Sequence, residues 1–422
     1  MASTDADSYP HPHHQASEDI MGTPAVDVVV IGGGVQGLVI LDTLIEAGYS
    51  CALVTEGDLG AGQTLHSHGF LNTGFGMSGR ELPEAVRRIV QPSLRARGVT
   101  LTSNWAILPP PGLRGLLLRA HPGFARLTPT HLPDGFAPAF KDAARVLPDY
   151  NFNKRQLVTA LSQGHEDHII RGSVTGFRGR DPVEAVVLRP QGSDSEVELG
   201  AGAVVVAAGC GSKRLLRILD PAAPQLKRIK HRVVQMLCLR AQHNALPAAS
   251  VAALSLGLLL AAHDDGEHVT WYVTPMTLGG PSFDEVPNDA AAPADPILLQ
   301  RAWDRLRTLY PPLLGVEGLQ VGHYAGYRQD IGNRPGARLC AVIAGTGNVI
   351  TALPSGLVGP WRNAADTLDF IRGFAAPSRA QPALAGAGQG VRVGSPVEDR
   401  PGFAWQSWEE WSRSLAHVTE TM

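Results

Sequence analysis

Residues 26–37 read VDVVVIGGGVQG, and this stretch decides the fold. Residues 26–31 form an apolar run rich in β-branched side chains, which predicts a strand covered on both faces in a parallel sheet. Glycines end the strand, and Val35–Ala47 then carries apolar residues at helical spacing up to Gly48. Cys51–Val54 predicts a second short strand. The segment therefore predicts a β-α-β unit, as a mononucleotide-binding half requires.

The glycine turn of this unit satisfies the pattern G-x-G-x-x-G. Gly32 permits the tight turn, Gly34 lets the backbone approach a pyrophosphate, and Gly37 allows close packing of helix on strand. Gln36 lies in the same turn, where N–H groups at the positive end of a helix would hold the anion. Glu56 ends the second strand, where it can accept hydrogen bonds from a ribose diol. The unit predicts a dinucleotide site without distinguishing NAD from FAD.

The next segment, DLGAGQTLHSHGFLNTGFG at residues 58–76, resembles the flavin loop of the D-amino-acid oxidase and glycine oxidase (DAO) superfamily. It is most similar to L-2-hydroxyglutarate dehydrogenase, in which a Q-T-x-H-x-x-G-x-x-x-x-G pattern occupies this place. Asn72 stands where those enzymes carry a histidine, so hydroxyglutarate itself is not implied. The resemblance implies FAD as the cofactor. It assigns to FAD binding the loop residues Gly62, Gln63, Thr64, His66 and Gly69, and the pattern continues to Gly74.

Three later segments resemble the same superfamily, and together the matching segments span residues 26–371, which is most of the chain. SVTGF at 173–177 resembles the strand whose valine meets the adenine, and residues 204–211 resemble the strand that closes over the ADP moiety. NVITALPSGLVG at 348–359 resembles the last flavin-contacting turn. The residues that these segments assign to FAD are Val174, Ala208, Gly209, Pro354, Ser355, Gly356 and Leu357.

The candidates for catalysis or substrate binding are Arg328, His66, Tyr272 and Tyr327. Arg328 lies in Gly326-Tyr327-Arg328, which resembles the family's G-x-R segment, whose arginine clamps a substrate carboxylate. Gln329 and a short connection follow it here, so a structural ion pair remains an equal alternative. Tyr272 and Tyr327 are expected to line the substrate pocket together with Trp271 and Tyr324, with ordinary core packing as the alternative for each.

Three roles remain open for His66. It could lie beside the flavin ring as a polar or basic group, or it could bond covalently to the flavin 8α carbon, as a histidine does in dimethylglycine-type dehydrogenases. It could also be an ordinary hydrogen-bonded loop residue. His68 is a weaker candidate for either functional role. No metal site is expected, because His263–His268 (HDDGEH) is better explained as a polar hairpin tip with Asp-Gly at the turn.

The overall composition limits the classes of molecule that the protein is expected to bind. The formal net charge is -3, with 36 basic and 39 acidic residues interspersed, so no long-range field would attract nucleic acid. A small-molecule substrate is the default, with O2 or a redox partner as electron acceptor, and a homo-oligomer is left open. No apolar signal-peptide core is visible in residues 1–25, and the scattered cysteines indicate a cytoplasmic protein. The apolar run 245–262 predicts a buried helix followed by a strand, not a membrane span.

The expected fold class is α/β: a Rossmann-like FAD-binding domain of glutathione-reductase type with an inserted α+β substrate domain built on an antiparallel sheet. The expected divisions are a disordered tail (1–25), a discontinuous FAD-binding domain (26–105, 150–230 and 321–375), a substrate domain (106–149 and 231–320), a linker (376–396) and a C-terminal amphipathic helix (397–422). Trp408, Trp411 and Leu415 share one face of that helix, which is expected to dock on its own chain; a second subunit is the alternative.

The expected function is that of an FAD-dependent oxidase or dehydrogenase. Such an enzyme oxidises a C–H bond next to an amine or hydroxyl by hydride transfer to flavin N5, and the expected substrate is an amine, amino acid or hydroxy acid. Two alternatives remain open. One is flavin-dependent alcohol oxidation of a larger specialised metabolite without a carboxylate, and the other is a non-catalytic dinucleotide-binding redox sensor.

Overall fold

The computed structural model describes residues 25–71, 88, 90–103, 105–109, 112, 115, 124, 127–141, 143–276, 282–283, 292–331, 340–344, 347–354, 357, 359–378, 384 and 387–421. In chain order the strands among them are β1 (Ala25–Ile31), β2 (Cys51–Thr55), β3 (Phe70–Leu71), β4 (Leu101–Thr102), β5 (Trp105–Leu108), β6 (Arg145–Val146), β7 (Tyr150–Phe152), β8 (Ile169–Gly179), β9 (Val183–Pro190), β10 (Val197–Val206), β11 (Ile229–Gln242), β12 (Ser250–Ala253), β13 (Leu258–Asp264), β14 (His268–Pro275), β15 (Ser282–Phe283), β16 (Gln320–Ile331), β17 (Cys340–Ala344) and β18 (Val349–Pro354). The α-helices are α1 (Val35–Glu46), α2 (Gln63–His66), α3 (Gln91–Ala96), α4 (Pro138–Lys141), α5 (Lys154–Ser162), α6 (Ser212–Leu219), α7 (Pro296–Leu309), α8 (Gly359–Arg372) and α9 (Trp408–Thr421).

The first sheet is built around β1, which pairs in parallel with β2 on one side and with β10 on the other. Val28 lies opposite Cys51 and Ala203, and all three are completely buried. β8 extends the parallel set beyond β2, β18 extends it beyond β10, and β17 closes that edge in antiparallel direction. The predicted β-α-β unit is confirmed, including its end, since Gly48 has the left-handed φ of 88° that suits the residue after a helix.

β8, β9 and β10 form an antiparallel meander. Val197–Val206 is one continuous strand. Its first half pairs with β9 and its second half with β1 and β18. A Cβ at Gly202 would lie 2.8 Å from the Asp27 carbonyl oxygen, so a glycine at this position allows the strand to pass close to β1.

The second sheet has eight strands, in the order β15-β11-β14-β13-β12-β5-β6, with β16 paired to β11. All of its pairings are antiparallel except β12 with β5, so the mainly antiparallel second sheet confirms the predicted fold class. Side chains alternate between its faces. Leu237 and Leu239 pack with Trp303 of α7, whereas Met236 and Cys238 face the opposite way, toward Phe70.

The apolar run 245–262 forms strands in this sheet, and the predicted helix was wrong. Ser250–Ala253 and Leu258–Asp264 are two antiparallel strands. The turn between them includes Gly257, whose φ is 61°. Short apolar runs fit a buried strand and a buried helix equally well, and here burial within a wide sheet decided for the strand. No helix among the described residues combines the length and apolar character needed to cross a bilayer.

The C-terminal helix docks on its own chain, as predicted. The Trp408 and Trp303 rings stack with centroids 3.8 Å apart and planes inclined by 6°. Trp411 is completely buried, and its indole N–H donates to His323 Nδ1 over 3.1 Å. The helix itself begins at Trp408, and residues 397–407 form a separate segment that starts with a short 3-10 helix at Val397–Asp399.

Replacement of Trp411 by Ala should therefore lower the free energy of unfolding by about 3–5 kcal/mol, because it leaves a cavity against Trp303 and an unpaired His323. Chemical denaturation followed by circular dichroism measures this change. Glu409→Ala, on the exposed side of the same helix, is the matched control and should be close to neutral. Equal stability of the two variants would contradict the docked arrangement.

Candidate functional site

The glycine turn between β1 and α1 is held by contacts that admit no side chain. Gly32 has a φ of 126°, and a Cβ there would lie 2.5 Å from the Ala207 carbonyl oxygen at the end of β10. A Cβ at Gly37 would lie 1.9 Å from the Gly32 carbonyl oxygen. Both glycines are therefore used as the sequence pattern requires, one for the turn and one for the close approach of helix to strand.

Gly34, in contrast, borders open space. A Cβ there would meet only the Thr64 hydroxyl oxygen, at an ordinary contact distance of 3.5 Å. Gly34 is the N-cap of α1, and the next N–H, that of Val35, donates to the same Thr64 hydroxyl over 3.1 Å. A helix N-terminus with room in front of it suits a diphosphate, so the residues present fit the cofactor that the sequence implies.

Other predicted cofactor residues converge on this helix end. A Cβ at Gly209, which follows β10, would lie 3.2 Å from Gln63 Oε1, so this glycine and the loop that carries α2 lie next to each other. Glu56 stands at the end of β2 with its side chain 63% exposed. Its two carboxylate oxygens lie 3.3 Å from Arg214 Nη2 of α6. Arg214 was missed by the sequence reasoning, and its place in the helix that follows β10 was the available signal.

The remaining predicted cofactor residues have different surroundings. The Gln36 side chain is buried and is engaged by α8, since Asn363 Nδ2 donates to its Oε1 over 2.8 Å. Val174 is buried on β8 at a register shift, and Ala208 is half-buried after β10. Gly62 is exposed, Leu357 is half-buried, and Pro354 is the last residue of β18. The predictions for Ser355, Gly356, Asn72 and Gly74 lie outside the described residues.

His66, at the end of α2, lies directly against β16 of the second sheet. A Cβ at Gly326 would lie 3.3 Å from both Cβ and Cδ2 of His66. The Tyr324 hydroxyl donates to the His66 carbonyl oxygen over 3.2 Å, and His66 Nδ1 lies 2.8 Å from the Gly62 carbonyl oxygen. Because a carbonyl only accepts, Nδ1 carries the proton and Nε2 keeps its lone pair. Burial lowers the pKa of His66, so the ring is neutral at physiological pH.

Alternation along β16 separates the two candidates of the Gly326-Tyr327-Arg328 segment. Arg328 lies on the face of Tyr324 and Gly326, which meets His66, whereas Tyr327 lies on the opposite face. The structure therefore does not bring Tyr327 to the other candidates. Arg328 Nε lies 3.3 Å from an Asp330 carboxylate oxygen, and the same carboxylate pairs with Arg232. Two guanidinium groups therefore contact one carboxylate.

Tyr272 and Trp271 point to opposite faces of β14. Trp271 packs in the core under α7, and its indole N–H donates to the Pro247 carbonyl oxygen, which establishes core packing for this residue. Tyr272 lies on the other face, where its hydroxyl donates to Glu398 Oε1. Lys154 Nζ donates to the same oxygen over 2.9 Å and lies 4.3 Å from the centre of the Tyr272 ring. Lys154 and Glu398 were missed, because no local motif marks them.

Two further histidines lie beside this group. His263 is the penultimate residue of β13, and its Nε2 lies 2.8 Å from the His68 carbonyl oxygen. Burial lowers the pKa of His263 to about 4 and that of His68 to about 3. Residues 263–268 form the tip of the β13–β14 hairpin, as predicted, with Gly266 at a φ of 90°. Within the described ranges no cluster of His, Cys, Asp or Glu has the arrangement of a metal site.

Comparisons with known proteins identify relatives of the whole arrangement. A family model described as FAD dependent oxidoreductase (DAO) matches residues 27–356, which is most of the chain. A probable FAD-dependent oxidoreductase of Pseudomonas aeruginosa is 29% identical over 227 residues, in a match that covers 48% of this chain and 56% of that protein. The chain thus matches little more than half the length of this curated relative.

Solved structures show the same fold. The crystal structure of the FAD dependent oxidoreductase from Pseudomonas aeruginosa superposes with a TM-score of 0.67 at 21% identity, covering 89% of this chain and 98% of that one. Glycine oxidase from Geobacillus kaustophilus superposes with a TM-score of 0.63 at 18% identity, covering 86% and 98%. At these identities the likeness establishes the fold alone.

The lowered pKa of His263 predicts a specific loss of stability in acid. Between about pH 6.5 and the folded pKa of about 4, the unfolded chain binds a proton at this residue that the folded protein does not, so stability falls as pH falls through this window. In His263→Gln, whose amide can still donate to the His68 carbonyl, the slope of unfolding free energy against pH should decrease by up to about 1.4 kcal/mol per pH unit. Denaturation near pH 8 is the internal reference, because there the slopes of unfolding free energy against pH should be the same for the two proteins. An unchanged slope would contradict the assigned pKa.

Proposed function

The chain belongs to the DAO family of FAD-dependent oxidoreductases, and on that premise we propose that it oxidises a C–H bond next to an amine or a hydroxyl. FAD is the cofactor of the family, and when bound it supplies the hydride acceptor, N5 of the flavin. The protein's own contribution is to bind the cofactor, orient the substrate and exclude water.

One observation carries the proposal: the second sheet meets the α2 loop through a glycine. Gly326 brings the backbone of β16 against the His66 ring, while Tyr324 and Arg328 on the same face flank the contact. A binding face with aromatic and cationic groups thus lies beside the loop that the family resemblance assigns to the flavin. A protein that only bound a dinucleotide would need no such face, so this arrangement favours an enzyme over a redox sensor.

The proposed substrate is an amine, an amino acid or a hydroxy acid. The presence of two guanidinium groups, those of Arg232 and Arg328, supports a carboxylate-bearing substrate, because a guanidinium can hold a carboxylate by two parallel hydrogen bonds. Glycine oxidase, which shares this fold, acts on an amino acid by its name. The ion pair between Arg328 and Asp330 favours a second candidate, oxidation of a larger alcohol without a carboxylate, since the pair already provides a partner for the guanidinium.

Two roles remain to be separated for His66. Its Nε2 lone pair could bond to the flavin 8α carbon, or it could serve as a neutral polar group beside the ring. Acid precipitation of the purified yellow protein distinguishes them, because flavin that stays with the polypeptide is covalently attached.

The experiment that tests the function is an anaerobic screen of amines, amino acids, hydroxy acids and larger alcohols for bleaching of the flavin spectrum. Reduction by an amine or a hydroxy compound supports the proposal, and the compound class selects between its two forms. A colourless purified protein that binds NAD(H) would overturn it.

Gly34→Ala should weaken FAD binding by at least about tenfold without loss of stability. The new methyl group meets no protein atom closer than 3.5 Å, yet it projects into the space in front of the α1 N-terminus, where we propose the pyrophosphate lies. Titration of the apoprotein with FAD, followed by flavin fluorescence, measures the affinity. Gly315→Ala, where a Cβ also meets nothing nearby, is the control. Wild-type FAD affinity in Gly34→Ala would place the pyrophosphate elsewhere.

Arg328→Met should raise the apparent dissociation constant of a carboxylate substrate by about 10–100-fold, which corresponds to the loss of one charge-assisted contact. Stopped-flow flavin reduction at several substrate concentrations measures this constant. Arg328→Lys keeps the charge but loses the two-pronged geometry, so it should be intermediate. A substrate without a carboxylate should be unaffected in both variants. Unchanged affinity for the carboxylate substrate would remove Arg328 from the site.

A further inference from the structure

The segment from residue 394 to residue 406 connects the two sheets across the site. At its start the Gly394 N–H donates to the Leu59 carbonyl oxygen over 2.9 Å, beside the glycine turn. At its end Gln406 and Val321 of β16 exchange backbone hydrogen bonds of 2.8 and 3.0 Å. Between these ends Arg400 Nη2 donates to the Ala61 carbonyl oxygen over 3.2 Å. The segment is therefore fixed to both halves of the molecule.

Glu398 is the side chain that this segment inserts between the halves. Its side chain is 4% exposed, and that of Lys154, its ion-pair partner, is 3% exposed. Lys154 opens helix α5, which packs on the first-sheet side, whereas Tyr272 belongs to the second sheet. One carboxylate oxygen, Oε1, thus joins groups from three parts of the chain.

The energetics of the ion pair between Lys154 and Glu398 indicate that it fixes the positions of these side chains more than it stabilises the fold. Two charges removed from water lose most of what their attraction gains, so a buried pair of this kind contributes little net stability compared with apolar side chains of the same size. What it does provide is a defined geometry, because each partner is costly to leave without the other. The segment could have been anchored by apolar contacts alone, such as the one its Phe403 makes with Gly322 of β16.

The hydrogen bond that Tyr272 makes limits which further hydrogen bonds its hydroxyl group can form. A tyrosine hydroxyl has a single proton, and that of Tyr272 is committed to Glu398. Lys154 lies over the ring and on the same carboxylate, so the tyrosine cannot turn away without breaking both contacts. The Tyr272 oxygen can therefore only accept further hydrogen bonds. Tyr324 is in the same condition, because its proton is committed to the His66 carbonyl oxygen.

We propose that Glu398 is a positioning residue of this site: it commits the proton of Tyr272 and holds Lys154 against that ring, so that the site presents acceptor oxygens to an N–H or O–H group of the substrate. The inference deepens the proposed function and rests on it for the identity of the occupant. A carboxylate has no proton to donate, so it is a poor hydrogen-bond partner for these two oxygens. The substrate is thereby oriented, with its oxidisable amine or hydroxyl toward Tyr272 and Tyr324.

The direct test is spectroscopic and uses the holoenzyme. Subtracting the ultraviolet resonance Raman spectrum of Tyr272→Phe from that of the wild type isolates Tyr272, and the intensity ratio of its Fermi doublet reports whether the hydroxyl donates to an anion. The wild type should show a strong donor, and Glu398→Gln, compared with its own Tyr272→Phe double variant, should lose that signature. Asp399→Asn, an exposed carboxylate in the same segment, is the matched control and should retain it. An unchanged signature in Glu398→Gln overturns the proposal.

A second arm separates positioning from simple support of the fold. Lys154→Met and Glu398→Leu should each lower the midpoint of thermal unfolding, and the double variant, an apolar pair of similar volume, should recover most of the loss. The double variant should nevertheless reduce its flavin at least tenfold more slowly than wild type at saturating substrate, with Tyr272 no longer fixed. Recovery of both stability and rate would make the role structural and overturn the proposal.

The two arms also distinguish failure of the inference from failure of the proposed function. If no amine or hydroxy compound reduces the flavin, the proposed function fails, while the Raman signature and the unfolding midpoints still decide whether Glu398 positions Tyr272. If a substrate is found and Glu398→Gln reduces the flavin as fast as wild type with the same substrate affinity, the positioning role fails and the function stands.

Discussion

The close contact between Gly37 and the carbonyl oxygen of Gly32 is the constraint on which the rest of the structure depends. A side-chain carbon at Gly37 would be only 1.9 Å from that oxygen, so helix α1 can lie on its strand only because position 37 is glycine. This approach fixes the N-terminus of the helix at the end of β1. The end of β10 and the α2 loop then gather around the helix end through Gly209, Gln63 and Thr64. One steric condition in the first turn thus determines where the site can form.

The second sheet contributes through a different rule, the alternation of side chains along a strand. In β14 the rule sends Trp271 into the core under α7 and Tyr272 toward the site, and in β16 it places Tyr324 and Arg328 on one face and Tyr327 on the other. Neighbouring aromatic residues that the sequence cannot rank as site candidates therefore lie on opposite faces of the sheet. The division could be predicted only once one residue of each strand was assigned to a face, which the sequence did not supply.

The accuracy of the sequence predictions follows how local each feature is. The β-α-β unit and the hairpin tip at Gly266 depend on patterns within a few residues, and both were predicted correctly. The helix expected within 245–262 was wrong because a short apolar run carries no periodicity that separates strand from helix. Glu398 escaped notice because its partner Lys154 lies 244 residues away in the chain. No spacing rule covers such a distance, and only the folded chain brings these groups together.

The distribution of charge across the site gives the proposed orientation of the substrate a physical basis. At the tyrosine end Lys154 forms an ion pair with Glu398, and the two tyrosine hydroxyl oxygens offer lone pairs. At the other end of β16 two guanidinium groups, those of Arg232 and Arg328, contact Asp330. The two ends lie on one face, on either side of Gly326 and His66. A substrate with a hydrogen-bond donor at one end and an anion at the other complements this face in only one direction, which places the donor-bearing carbon at the tyrosines. Reversing the substrate would leave its anion against acceptor oxygens and its donor against a guanidinium, and both contacts are repulsive.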